Sequence, residues 1–216
     1  MSPNFMKSKQ PDRILVAIPS LDRPKLVQRC LASLFDNGTG AFDVLVIQNR
    51  RGGIIKALNS SLPPQLLERY SVLGVLNDDM VVRTPGWDAL VLKELSEAPG
   101  LLYGRDGIQD ARMATWHFMN VEIPLALCYI WPPQFSHMRG DMAMTEIARR
   151  AGCLHYKPDL FIEHLHYTAG KSEKDATYAE AYSHNADDQA AWKEFVDCIL
   201  PGDANAVKQA IQPLLK

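Results

Sequence analysis

A chain of 216 residues with 47% hydrophobic and 22% charged side chains has the composition of one folded domain, which excludes a disordered or fibrous protein. A net charge of −2 gives no global attraction for nucleic acid, whose binding rests on clustered lysine and arginine. No apolar run approaches the ~20 residues of a membrane span, and the cysteines Cys30, Cys128, Cys153 and Cys198 lack the paired spacing of a zinc site or disulfide framework, which leaves buried free thiols.

The opening MSPNFMKSKQPDR is polar and lacks an apolar signal core, so a cytoplasmic location is expected. RILVAIPS (Arg13 to Ser20) then predicts a strand, ended by Pro19, and the loop SLDRP holds Ser20, Asp22 and Arg23. Pro24 opens a helix where its missing N–H does no harm. Leu26, Val27, Cys30, Leu31 and Leu34 give that helix one core-facing stripe, and Asn37-Gly38 ends it. FDVLVIQN (Phe42 to Asn49) predicts a second buried strand, and the Gly52-Gly53 break leads into a helix through Leu58.

The third strand, Ser71 to Asn77, is short, apolar and partly β-branched, as in a strand buried on both faces. It stops at Asn77, Asp78 and Asp79. Ligand sites of open α/β sheets lie outside the carboxyl ends of strands, and two adjacent carboxylates are favourable beside a divalent cation. The same three residues also suit a polar turn. Three apolar strands separated by helical patterns indicate βαβ units and a mainly parallel sheet. The loop PSLDRP is not the glycine-rich turn of a dinucleotide fold, and no phosphate loop with Gly-Lys-Ser/Thr occurs.

Beyond the aspartate pair, Met80 to Arg83 reads as a short strand and Asp88 to Ser96 as a helix after Pro85-Gly86-Trp87. Leu101 to Tyr103 and Ala114 to Met119 predict strands, Arg105 to Arg112 a polar loop, and IWPPQF (Ile130 to Phe135) a rigid aromatic loop of the kind that lines clefts or packs on surfaces. GDMAMTEIARRAG predicts a helix with Asp141 as a cap or as a functional carboxylate, closed by Gly152. A strand over Leu160 to Glu163 precedes HLHY, whose His164 and His166 share one face of an extended segment. They suit a cation or phosphate, or form an ordinary surface pair. Lys174 to Leu200 is helical, with Tyr178, Tyr182, Trp192, Phe195 and Val196 as packing residues and Asp187 and Asp188 as caps of a break. Asp203 to Lys216 predicts a last amphipathic helix.

The order of RILVAIPSLDRP, IQN, LNDDMVVRTPGW, GDMAMTEIARRAG and EHLHY resembles the GT-A fold glycosyltransferases, particularly those similar to family 2 and to small phage-encoded members. The resemblance covers Arg13 to Tyr167. It implies an α/β fold, a single GT-A-like domain over residues 1–170 with a mainly parallel nucleotide-binding sheet flanked by helices, and a C-terminal helical tail over 171–216 packed on it. In that resemblance Pro19, Asp22, Arg23 and Asn49 border the nucleotide, and Asn77 and Asp78 also bind the donor. Asp79, with His164 or His166, holds Mn²⁺ or Mg²⁺. Asp141 is the general base that takes the acceptor hydroxyl's proton, giving inversion.

The function implied is transfer of a sugar from a nucleotide-diphosphate donor, uridine before others, to an acceptor hydroxyl. A hydroxymethylated pyrimidine in phage DNA is the first acceptor to test, with Arg50, Arg51, Lys56, Arg105, Arg112 and Arg139 as candidate phosphate contacts. The chain departs from the pattern at Asn77, where an acidic residue is common, and at Arg139-Gly140, where glutamate commonly precedes the base. The tail is similar only to the small phage members, through Lys171, Ser172, Asp175 and Tyr178. Two other readings remain at this stage: a nucleotidyltransferase, which wants a glycine-rich basic loop after the first strand, and a sugar-nucleotide-binding protein without catalysis.

Overall fold

In the computed structural model, which describes residues 12–48 and 53–215, the apolar run after Arg13 is strand β1 (Ile14–Ser20), buried along its whole length. Helix α1 (Pro24–Asn37) has proline in its first turn and buries Cys30, Ser33 and Leu34. Strand β2 (Phe42–Gln48) pairs parallel with one side of β1, and β3 (Val72–Val75) pairs parallel with the other. Helices α2 (Ile54–Ser61) and α3 (Pro64–Leu67) lie between them in sequence. All four residues of β3 are buried, as its unbroken apolar sequence requires.

The second half of the chain adds β4 (Met80–Val82), α4 (Trp87–Glu97), β5 (Leu101–Arg105), β6 (His117–Asn120), α5 (Glu122–Leu127), α6 (Gly140–Ala151) and β7 (Leu154–His164). The seven strands form one sheet in the order β2-β1-β3-β6-β5-β7-β4. Parallel pairing holds for β2-β1-β3 and for β5 with β7, whereas β6 is antiparallel to β3 and β5 and β4 is antiparallel to β7. The chain passes from β5 to β6 without an intervening α-helix, so no long crossover forces these two into parallel pairing. The predicted strand Ala114 to Met119 begins only at His117, and the one predicted over Leu160 to Glu163 is the last part of the longer β7.

The core centres on Trp87, fully buried, which stacks on Phe118 at 5.4 Å, meets Phe42 at 4.9 Å and donates its indole N–H to the Leu34 carbonyl at 3.1 Å. The tail forms α7 (Ala176–Ser183), α8 (Asn185–Glu194), a π-helical turn over Phe195–Ile199 and α9 (Leu200–Ile211). The helical stretch is broken at His184, before Asp187 and Asp188 where the break was expected, and the last helix starts three residues before Asp203. Phe195, Leu200, Val207 and Ile211 belong to the same hydrophobic core as the sheet, and α9 packs on α5 and α6.

All four cysteines are free, but only Cys30 and Cys153 are buried. The expectation of buried thiols is corrected for Cys128 and Cys198. Cys128 has a left-handed backbone (φ 60°) at the end of α5 and lies exposed. Among the described residues no helix is long and apolar enough to cross a membrane.

Candidate active site

Beyond β3 the chain turns through Asn77, Asp78 and Asp79 and enters β4, whose antiparallel pairing with β7 sets Met80 opposite His164. The backbone N–H of Leu165 bonds the Asp79 carbonyl at 2.9 Å. Asp79 and His164, 85 apart in sequence, are thereby brought side by side. With Pro19, Arg23, Asp141, His166 and Tyr178 they line one cleft.

Asp79 is 2% exposed. Its Oδ2 accepts the Tyr178 hydroxyl at 2.7 Å. Its Oδ1 lies 3.3 Å from Nε2 of His164, an ion-pair distance without hydrogen-bond geometry, and has no hydrogen-bond donor among the described residues. Burial pushes this carboxyl up, but the closeness and charge of His164, with Tyr178 and Arg23, outweigh it and hold it at about 2. His164 responds in the opposite direction: burial lowers it, while Asp79, Asp106 and Asp141 raise it on balance. On the other side of the ring, Nδ1 is 4.0 Å from Asp106.

Asp78 is also buried, at 4% exposure. The Ser20 hydroxyl donates to it at 2.7 Å and an Arg23 guanidinium N–H at 3.2 Å, yet burial prevails and its carboxyl is raised. Arg23 also donates at 2.8 and 2.6 Å to Asp175, which caps α7 by accepting the N–H groups of Thr177 and Tyr178. The guanidinium lies 4.2 Å over the Tyr178 ring, so one cation holds two carboxylates and an aromatic face.

Asp141 stands in the first turn of α6 but does not cap it. Its Oδ1 accepts only the next residue's N–H, at 2.7 Å, and the position before the helix is taken by Arg139 in a left-handed conformation (φ 75°). The cap expectation is corrected accordingly. Burial raises the carboxyl's proton affinity, against the pull of the Met142 N–H and the His164 charge.

Of the residues singled out in the sequence, Pro19, Arg23, Asn77, Asp78, Asp79, Asp141, His164 and His166 all line the cleft. Asp22 is exposed in a left-handed backbone (φ 54°) and is not among the lining residues. Asn49, Arg50 and Arg51 lie outside the described residues. Arg139 lines the cleft, whereas Lys56 is exposed on α2, Arg105 donates to the Pro158 carbonyl and Arg112 folds onto its own loop. Asp187 and Asp188 do not cap the break at His184; they fall in the first turn of α8, and Asp188 turns inward. Trp131, His137, Tyr178 and Tyr182 also line the cleft. Sequence reasoning missed His137 and assigned the two tyrosines to packing, because nothing local marks which aromatic of a helical tail faces a ligand.

Among the described residues no group of three or more histidine, cysteine or acidic side chains is close enough to hold a metal alone. The unpartnered Asp79 oxygen beside an imidazole nitrogen does fit a divalent cation that completes its shell with phosphate oxygens and water. Such sharing is common for hard cations at nucleotide sites.

No protein-family profile matches the chain, and no curated protein matches it either. Solved structures do. A mannosyltransferase from Pyrobaculum calidifontis, in complex with GDP-mannose and Mn²⁺, superposes with a TM-score of 0.56 at 12% identity over 95% of this chain and 77% of its own. Glucosyl-3-phosphoglycerate synthase from Mycobacterium tuberculosis, with Mn²⁺, UDP and glucosyl-3-phosphoglycerate, gives 0.55 at 11% over 83% and 80%. A Drosophila galactosyltransferase with manganese, UDP-galactose and xylobiose gives 0.52 at 15% over 78% and 79%. The fold is that of the GT-A glycosyltransferases.

Proposed function

We propose that this chain is a metal-dependent, inverting glycosyltransferase that moves a sugar from a nucleoside-diphosphate donor, uridine in the first instance, to an acceptor hydroxyl. The observation that carries the reading is the pair of separated carboxylate sites in one cleft: Asp79, with an oxygen free of hydrogen bonds beside His164, and Asp141 at the start of α6. Similar folds solved with Mn²⁺ and a nucleotide or nucleotide sugar support it.

Asp79 and His164 would hold Mn²⁺ or Mg²⁺, with His166 in reserve beside them, its ring centre 5.1 Å from that of His164. A cation held there would supply positive charge to offset the negative charge gathering on the diphosphate leaving group. Pro19, Asn77 and Asp78, which line the cleft, would border the donor, and Arg23 would meet the diphosphate. Asp141 takes the proton of the acceptor hydroxyl as its oxygen bonds to the anomeric carbon and the carbon–oxygen bond to the diphosphate breaks with its electron pair. A base raised by burial is better matched to that transfer, which is worth roughly 10²- to 10⁴-fold in rate. Residues 1–170 form the catalytic unit and 171–216 an extension that packs on it. The setting is cytoplasmic, that of the host if the chain is phage-encoded, and a hydroxymethylated pyrimidine in DNA is the first acceptor to try.

Calorimetric titration of UDP, with and without Mn²⁺, tests the donor half. Binding that needs the metal and disappears in Asp79→Ala is expected; no binding of any nucleoside diphosphate in either condition would sink the reading. In Asp141→Asn, nucleotide binding is expected to persist while turnover falls at least about 10²-fold.

A further inference from the structure

The structure assigns a positioning role to Asp188, which touches neither the donor half of the cleft nor Asp141. This assignment rests on the reading of Asp141 as the base. Asp188 lies in the first turn of α8 and is 1% exposed. Its Oδ1 accepts the backbone N–H of Ser136 at 2.7 Å, and its Oδ2 accepts those of His137 at 3.0 Å and Met138 at 2.6 Å. Three successive peptide donors converging on one buried carboxylate fix both the position and the tilt of the segment that carries them.

That segment leads directly into Asp141. On its far side the Ser136 carbonyl accepts the Ile55 N–H at 3.4 Å. Gly53, with φ +91°, comes so close that an added Cβ would stand 2.1 Å from the Ser136 oxygen. The loop is thus gripped between α2 and α8. Arg139 then turns through its left-handed conformation and bonds Gln189, the neighbour of Asp188. Gly140 presses on Trp131, where a Cβ would meet the indole at 2.4 Å. Only Arg139 and Gly140 separate the gripped peptides from Asp141, so little freedom remains between α8 and the carboxylate. His137, Met138 and Arg139 also line the cleft, which places the grip on the wall that bears Asp141.

The test uses the full chain with Mn²⁺, comparing wild type, Asp188→Asn and Asp188→Glu. Asparagine keeps the size but turns an N–H donor toward the peptide N–H groups, whereas glutamate keeps both oxygens. Three quantities are read: UDP affinity by calorimetry, amide exchange at residues 136–138, and UDP release at saturating donor. The donors are UDP-glucose, UDP-galactose, UDP-N-acetylglucosamine and GDP-mannose (GDP release for the last), with water or hydroxymethylcytosine DNA as acceptor. In Asp188→Asn the UDP affinity is expected within about twofold of wild type, the three amides exchange faster, and turnover falls about tenfold or more, the scale of a sub-ångström to ångström misplacement. Asp188→Glu recovers part of the turnover. Unchanged turnover in Asp188→Asn with freed amides overturns the role, as does a loss of UDP affinity that parallels the loss of turnover, which is the mark of a general defect in folding. A wild type that binds no nucleotide, or binds it and turns over none of these donors, overturns instead the donor or base reading on which the assignment stands.

Discussion

Tyr178 places a phenol hydroxyl on the carboxylate that the proposed metal would need, and burial with the charge of Asp79 raises that phenol to about 12, so it stays a donor. A cation at Oδ1 would share the carboxylate with that hydrogen bond on Oδ2, which draws charge away from the metal's ligand and is itself worth roughly 1.5–3 kcal/mol. Tyr178→Phe is expected to tighten Mn²⁺-dependent UDP binding by about fivefold or more, read by calorimetry. Weaker binding would mean that the hydroxyl remains on the carboxylate and orients it for the metal. At this scale the sequence shows the residues whose roles are local. Asp78 and Asp79 follow a strand end, and His164 closes β7 with His166 two residues beyond it in extended backbone, so their neighbourhood is written within a few positions. Asp188 carries no such mark, because its three partners lie some 50 residues away and an aspartate early in a helix is equally a solvated residue.

The same device recurs between elements. Asp88, in the first turn of α4 and fully buried, accepts the N–H groups of Thr39, Gly40 and Ala41 and the Thr39 hydroxyl, all within 2.8–3.0 Å. Burial raises its carboxyl, and these donors more than reverse the rise. It fastens the turn between α1 and β2, which does not line the cleft. Asp88→Ala leaves several peptide N–H groups without an acceptor and is expected to cost about 2–4 kcal/mol, seen as a lower urea midpoint with an unchanged slope. The central parallel strands β1 and β3 were legible as apolar runs, whereas β2, expected to be buried, carries Asp43 and lies at the sheet edge with only Phe42 and Ile47 buried. The antiparallel insertion of β6 was not legible, because pairing direction depends on the connection through the polar loop 105–112, whose sequence does not say which way the next strand runs.

For the molecule as a whole, two histidines set a limit on acid stability. His117 on β6 is fully buried; its Nε2 accepts the Trp131 indole N–H at 3.5 Å and burial lowers it to about 3 from an ordinary 6.5. His137 falls to about 4, through burial and then the nearby His184. Between those values and 6.5 the unfolded chain binds protons that the folded one does not, so stability falls as pH drops, by up to ~1.4 kcal/mol per pH unit for each group. Thermal or urea unfolding across pH 6.5 to 4 should show a shallower decline in His117→Gln. An identical slope would show that the ring is already charged in the fold.

The tail has a further consequence. Phe195, Leu200, Val207 and Ile211 fill the same core as the first strand, Tyr178 lines the cleft, and Asp188 secures a loop that contributes His137 and Met138 to it. During synthesis, at roughly 5–20 residues per second, the first strands emerge seconds before these residues exist. Until then the nascent chain carries an open apolar face and an aspartate pair without its phenol or its arginine bridge to Asp175. The cleft is thus among the last features of the molecule to form, and a chain truncated before α8 would lack both Asp188 and the tail's share of the core.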